Sequence, residues 1–75
     1  MAGVEITGTF GHVTRHPPRG PEPERYEVEV VVAFDDVGPQ PVLLQAYELE
    51  IEKPIEPGDV VTAVSEGSRL TIRRR

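Results

Sequence analysis

Two stretches of the chain alternate strictly enough to be read as strands. Over residues 26–34, Tyr26, Val28, Val30, Val32 and Phe34 take every second position; over 43–51, Leu43, Gln45, Tyr47, Leu49 and Ile51 do so. A period of two is the signature of a strand with one face against a core. Between them, Asp35-Asp36-Val37-Gly38-Pro39-Gln40-Pro41 concentrates turn formers, so the two runs are expected to pair as an antiparallel hairpin. With the apolar faces aligned, the outer face carries Glu27 and Glu29 beside Glu48, Glu50 and Glu52, and nearer the turn Val31 and Ala33 beside Leu44 and Ala46. This sets Glu27 opposite Glu50 and Glu29 opposite Glu48, and like charges directly opposed across a hairpin cost stability.

The remainder of the chain also reads as strand and loop. Residues 4–14 are rich in β-branched and aromatic side chains, interrupted by Gly8 and Gly11, which predicts a first strand that bends sharply at a bulge. Val4, Ile6, Phe10 and His12 are expected on its inner face. The segment 16–24 holds Pro17, Pro18, Pro21 and Pro23; proline excludes helix and central strand, so this is an extended loop of partly polyproline character. Lys53-Pro54-Ile55-Glu56-Pro57-Gly58 breaks the pattern again. Residues 59–64 and 69–73 then form a second hairpin around Glu66-Gly67-Ser68.

Nowhere do apolar residues recur at helical spacing for three turns, which leaves at most one helical turn near Ile55. The expected class is all-β, in a single domain over residues 1–75. Five short strands with one apolar face are best satisfied by closure into a small barrel, which removes exposed edges. Its expected core is Val28, Val30, Val32, Tyr47, Leu49, Ile51, Val60, Leu70 and Ile72.

The run Ile55-Glu56-Pro57-Gly58-Asp59-Val60-Val61, followed by Leu70-Thr71-Ile72-Arg73, resembles the last two strands of OB-fold domains of the S1-like kind. The resemblance implies a five-stranded barrel whose fifth strand runs beside the third, bringing Arg73, Arg74 and Arg75 near Glu50 and Glu52. The chain departs from nucleic-acid-binding members in lacking their run of exposed aromatics, and there is no room for the long helix between strands three and four. An SH3-like barrel satisfies the same strand count.

Size and charge narrow the picture. A chain of 75 residues buries only about 60% of the surface its unfolded form exposes, so the core must suffice alone or be shared with a partner. The absence of cysteine excludes disulfides and thiolate metal sites and fits a reducing cytoplasm. The beginning Met-Ala-Gly-Val-Glu lacks a basic, apolar leader pattern, and no window reaches the roughly 20 apolar residues needed to span a bilayer; a soluble, cytoplasmic chain without membrane contact is expected. A formal charge of −5 argues against a generic polyanion binder, whose affinity rests on a basic surface.

Two functional readings follow. In the first, the chain is a non-catalytic module that docks another protein, or a second copy of itself, through the outer face of strands two and three. Glu27, Glu29, Glu48 and Glu50 would steer a basic partner while Val31 and Leu44 provide buried contact. In the second, Arg15, Arg19 and Arg25 of the first loop and Arg69 of the last turn contact single-stranded nucleic acid, since in OB folds these loops flank the ligand groove. Against it, parity turns Phe10, Tyr26, Phe34 and Tyr47 mostly inward, leaving few stacking platforms.

Arg15-His16-Pro17-Pro18-Arg19-Gly20-Pro21 also fits the Arg-x-x-Pro-x-x-Pro pattern read by SH3 domains. No nucleophile arrangement or phosphate loop is recognisable. His12 and His16 with scattered acids do not make a metal-ligand spacing, so neither enzyme nor cofactor is expected, although an accessory domain of a larger enzyme would look the same.

Overall fold

The computed structural model describes residues 3–75. Six strands, β1 (Val4–His16), β2 (Arg25–Phe34), β3 (Gly38–Ala46), β4 (Glu48–Ile51), β5 (Val60–Glu66) and β6 (Arg69–Arg74), make one sheet in the order β3-β2-β1-β5-β6-β4, with no helix among the described residues. All neighbours are antiparallel except β4 and β6, which are parallel. The class is therefore all-β as expected, with two corrections. There are six strands rather than five, and the sheet is not closed into a barrel: β3 and β4 are its two edges.

Both corrections have one cause. The run 43–51, expected as a single strand, is broken by a bend at Tyr47. Leu44 and Ala46 before the bend, and Leu49 and Ile51 after it, all contribute to the core. Leu49 is three positions after Ala46, with Tyr47 and Glu48 between them, so the period of two slips by one position.

The register of the first hairpin differs accordingly. Glu27 lies opposite Gln45 and Glu29 opposite Leu43, five residues from the expected Glu50 and Glu48, and an odd slip exchanges faces. Leu44 thus faces inward instead of outward. The turn itself is shorter than the sequence suggests, occupying Asp35–Val37 alone, and Gly38 enters β3 with φ +74, a left-handed conformation open to glycine at little cost. Pro39 and Pro41 are then accommodated because β3 is an edge strand, where a missing N–H on the free side costs no ladder bond.

The core comprises Phe10, Val28, Val30, Ala46, Val61, Ala63, Leu70 and Ile72, with Ile6, Val13, Val32, Leu44, Leu49, Ile51 and Ile55 packed against it. Two expected members are absent: Tyr47 is 54% and Val60 49% exposed. Tyr47 lies in the bend, and Val60 pairs with Thr9 on the outer face.

The bulge predicted in β1 falls between Phe10 and Val13. It turns His12 out to solvent and returns Val13 to the core side, so His12 leaves the inner face assigned to it; Val4, 64% exposed, does too. Gly8 marks a close approach of β1 to β2, where an added Cβ would collide with the Val31 carbonyl oxygen. Ile55 packs against the core from a turn-rich segment held by Gly58 N–H to the Phe10 carbonyl (2.9 Å) and Glu56 N–H to Asp59 Oδ2 (2.9 Å).

Candidate functional site

A depression lies where the β1–β2 loop meets the bend between β3 and β4. It encloses about 500 Å³ and is walled by His16, Pro17, Pro18, Arg19, Glu22, Pro23, Arg25, Gln45 and Tyr47. A second hollow of about 210 Å³ shares Arg25, Gln45 and Tyr47 with it and continues to Gly67 and Ser68 in the β5–β6 turn. The two form one groove from the proline-rich loop to the last turn, with Tyr47 in its wall. The combined space is in the range of sites that take a small molecule or a few units of a polymer.

Local sequence accounts for each wall. The prolines deny the loop a regular ladder, and the chain reverses at Gly20 through a miniature bridge in which Arg19 and Glu22 exchange backbone hydrogen bonds of 3.0 and 2.9 Å. At the loop's foot, Glu24 accepts hydrogen bonds from both Arg15 Nε and Tyr26 Oη, the latter at 2.9 Å. The Arg15 bond foremost, then the Tyr26 bond, hold the Glu24 carboxyl below its ordinary pKa, while the same carboxylate raises the Arg15 guanidinium and, with burial, the Tyr26 phenol. Opposite the loop, the Tyr47 N–H donates to the Ser68 carbonyl (2.9 Å), tying the bend to the last turn.

The four arginines named from sequence divide in two. Arg15 is committed to Glu24, and Arg69 to Glu50 at 2.6 Å. Arg19 and Arg25 make no ion pair within 4.0 Å among the described residues, and both line the groove. The Arg25 Nε is moreover buried without a hydrogen-bond partner, an unmet donor of the kind that costs about 1–3 kcal/mol or more when charged. Tyr47 and Gln45 were missed as site residues because strict alternation put them inside. The available signal was the adjacent pair Leu43-Leu44, which fits two opposite phases.

The residues of the protein-docking reading do not form one surface. Glu27 and Glu29 lie on the outer face of β2, each beside a histidine: His16 Nε2 is 3.2 Å from Glu27, and His12 Nδ1 3.7 Å from Glu29. Glu48 and Glu50 lie on β4, at the other edge of the sheet, across from Arg69 and Thr71 of β6. Val31 is half-buried on the outer face, and Leu44 faces the core. The expected approach of the last strand to these acids does occur, since the Arg74 N–H donates to Glu52 Oε1 at 2.9 Å. Among the described residues no group of three or more metal-ligating side chains is found, and no helix is long and apolar enough to cross a membrane. No family model, curated protein or solved structure matches the chain.

Proposed function

We infer that the chain is a non-catalytic binding module of OB-like architecture that takes single-stranded nucleic acid into the groove between the β1–β2 loop and the β5–β6 turn. The observation that carries this is the convergence on one groove of an exposed aromatic ring, Tyr47, and two guanidinium groups without carboxylate partners, Arg19 and Arg25. Ring and cation together are the elements of sequence-tolerant single-strand binding, in which a base stacks on the aromatic and the backbone follows positive charge. Gln45 and Ser68 add groups that hydrogen-bond a base edge.

The OB-like part of the reading is supported by connectivity. β1 pairs with both β2 and β5, and β6 runs parallel to β4, which follows β3 after a single residue. Counting β3 and β4 as one bent strand is consistent with the five-strand OB order, an architecture whose first and last loops flank the oligonucleotide site as the β1–β2 loop and β5–β6 turn flank the groove.

Fluorescence anisotropy with a labelled oligothymidylate tests the reading. The wild-type chain is expected to bind at low salt. Tyr47→Ala should weaken binding by about 5- to 140-fold, equivalent to the roughly 1–3 kcal/mol of one base–aromatic stack. No binding at high protein concentration and low salt, or affinity indifferent to Tyr47, would show the reading to be wrong.

A further inference from the structure

The opposite end of the β2–β3 hairpin carries an exposed feature with the complementary chemistry. The β1–β2 ladder ends at Thr9 and Val31, whereas β2 and β3 stay paired out to Phe34 and Gly38. The end of the hairpin therefore runs three residues beyond its pairing with β1, which continues to Val4 alongside β5 instead. At this end, Phe34 is 44% and Val37 61% exposed, and they flank Asp35 and Asp36, both exposed. An aromatic and an aliphatic side chain around two carboxylates make an anchor for a depression that offers proline and tyrosine rings beside cations without ion-pair partners.

The groove is such a depression. It presents Arg19 and Arg25 without ion-pair partners and one carboxylate, Glu22, together with Tyr47 and the rings of Pro17, Pro18 and Pro23. Its 500 Å³ hollow has room for an aromatic side chain. Tip and groove cannot meet within one chain: β2 has 10 residues, so at about 3.3 Å per residue they lie at opposite ends of the hairpin, roughly 30 Å apart.

We propose that the acidic hairpin tip of one copy docks into the groove of a second copy, with Phe34 and Val37 in the hollow and Asp35 and Asp36 toward Arg19 and Arg25. The contact is heterologous, so each copy keeps a free tip and a free groove, and repetition gives a ring or an open chain. The tip occupies the surface assigned above to nucleic acid and thereby competes with it. The inference rests on that reading for the competition alone; tip docking stands on the complementarity of the two surfaces.

The test is complementation in the ultracentrifuge at about 0.15 M salt, where a Debye length of about 8 Å limits repulsion between copies of net charge −5. Wild type should gain mass with concentration beyond a dimer. A tip variant, Phe34→Ser with Val37→Ser, and a groove variant, Arg19→Glu with Tyr47→Ser, should each remain at the 8.3 kDa monomer mass, with β circular dichroism retained. Their equimolar mixture should form a species of twice that mass and no larger, since one functional tip meets one functional groove.

Wild type monomeric up to millimolar concentration, either variant associating like wild type, or a folded mixture that stays monomeric would each overturn the proposal. An oligothymidylate arm separates it from the functional reading. The tip variant should bind the oligonucleotide like dilute wild type, and the oligonucleotide should dissolve wild-type assemblies. Complementation without oligonucleotide binding removes the nucleic-acid reading and leaves tip docking standing; oligonucleotide binding without complementation does the reverse.

Discussion

Leu43 and Leu44 are adjacent in the chain and opposite in circumstance: Leu43 is 57% exposed, whereas Leu44 packs against the core. The whole phase of β3 depends on this distinction, because a one-residue slip exchanges every side chain between the faces. Leu44→Ala should therefore cost about 2 kcal/mol or more, the lower end of the range for buried leucine truncation, while Leu43→Ala should stay within about 0.5 kcal/mol, as surface substitutions do. Urea denaturation of the two variants reads the difference; equal costs, or the reverse order, would mean that β3 faces the other way. Tyr47 is governed by the same phase. Its ring is available to a ligand only because the chain bends there and leaves Ala46 and Leu49 as the inward neighbours.

Among the elements, the β1–β2 loop depends most on a few polar contacts, since its prolines give it little ladder bonding. Glu24 ties its foot to Arg15 and Tyr26, and its pKa is lowered in the folded chain. A depressed carboxyl contributes stability that is present above its unfolded value, near 4.5, and lost as pH falls through the folded value. The stability gap between wild type and Glu24→Gln should accordingly be open at neutral pH and close in acid. The same substitution should let Tyr26 ionise earlier than in wild type, because the Glu24 hydrogen bond is the chief cause of its raised pKa. A gap unchanged into acid, followed by denaturation as a function of pH, would show that Glu24 does not anchor the loop.

The strands were largely legible in the sequence for local reasons. Alternation in β2, the glycine-marked bulge in β1 and the turn at Gly67-Ser68 are each encoded within a few residues. The split of β3 from β4 was not, because both phases of residues 42–51 contain enough apolar side chains to line a core, and only pairing with β6 decides between them. The groove stayed hidden for the same reason. Its arginines could be named from the loop, but their meeting with Tyr47 required the bend.

For the molecule as a whole, the formal charge of −5 stands against a broad polyanion surface, and the groove reconciles charge with proposed ligand by scale. Many of the carboxylates, among them Glu48, Glu50 and the tip aspartates, lie on other parts of the molecule, while the groove holds two arginines without ion-pair partners against one carboxylate, Glu22. Two phosphate contacts predict a shallow dependence of log K on log salt, about −1.4 at roughly −0.7 per contact for a single strand. A slope several times steeper would move the contact to a larger cationic surface that includes Arg73 and Arg75.

The most direct measurement is a nitrogen-15 amide NMR titration of the full chain with a short oligothymidylate, kept below the concentration at which copies associate. The groove account predicts perturbations concentrated at His16, Arg19, Glu22, Arg25, Gln45, Tyr47, Gly67 and Ser68, with the outer-face residues Glu29, Val31 and Leu43 unmoved. Perturbations centred on that outer face, or none at saturating oligonucleotide, would contradict it.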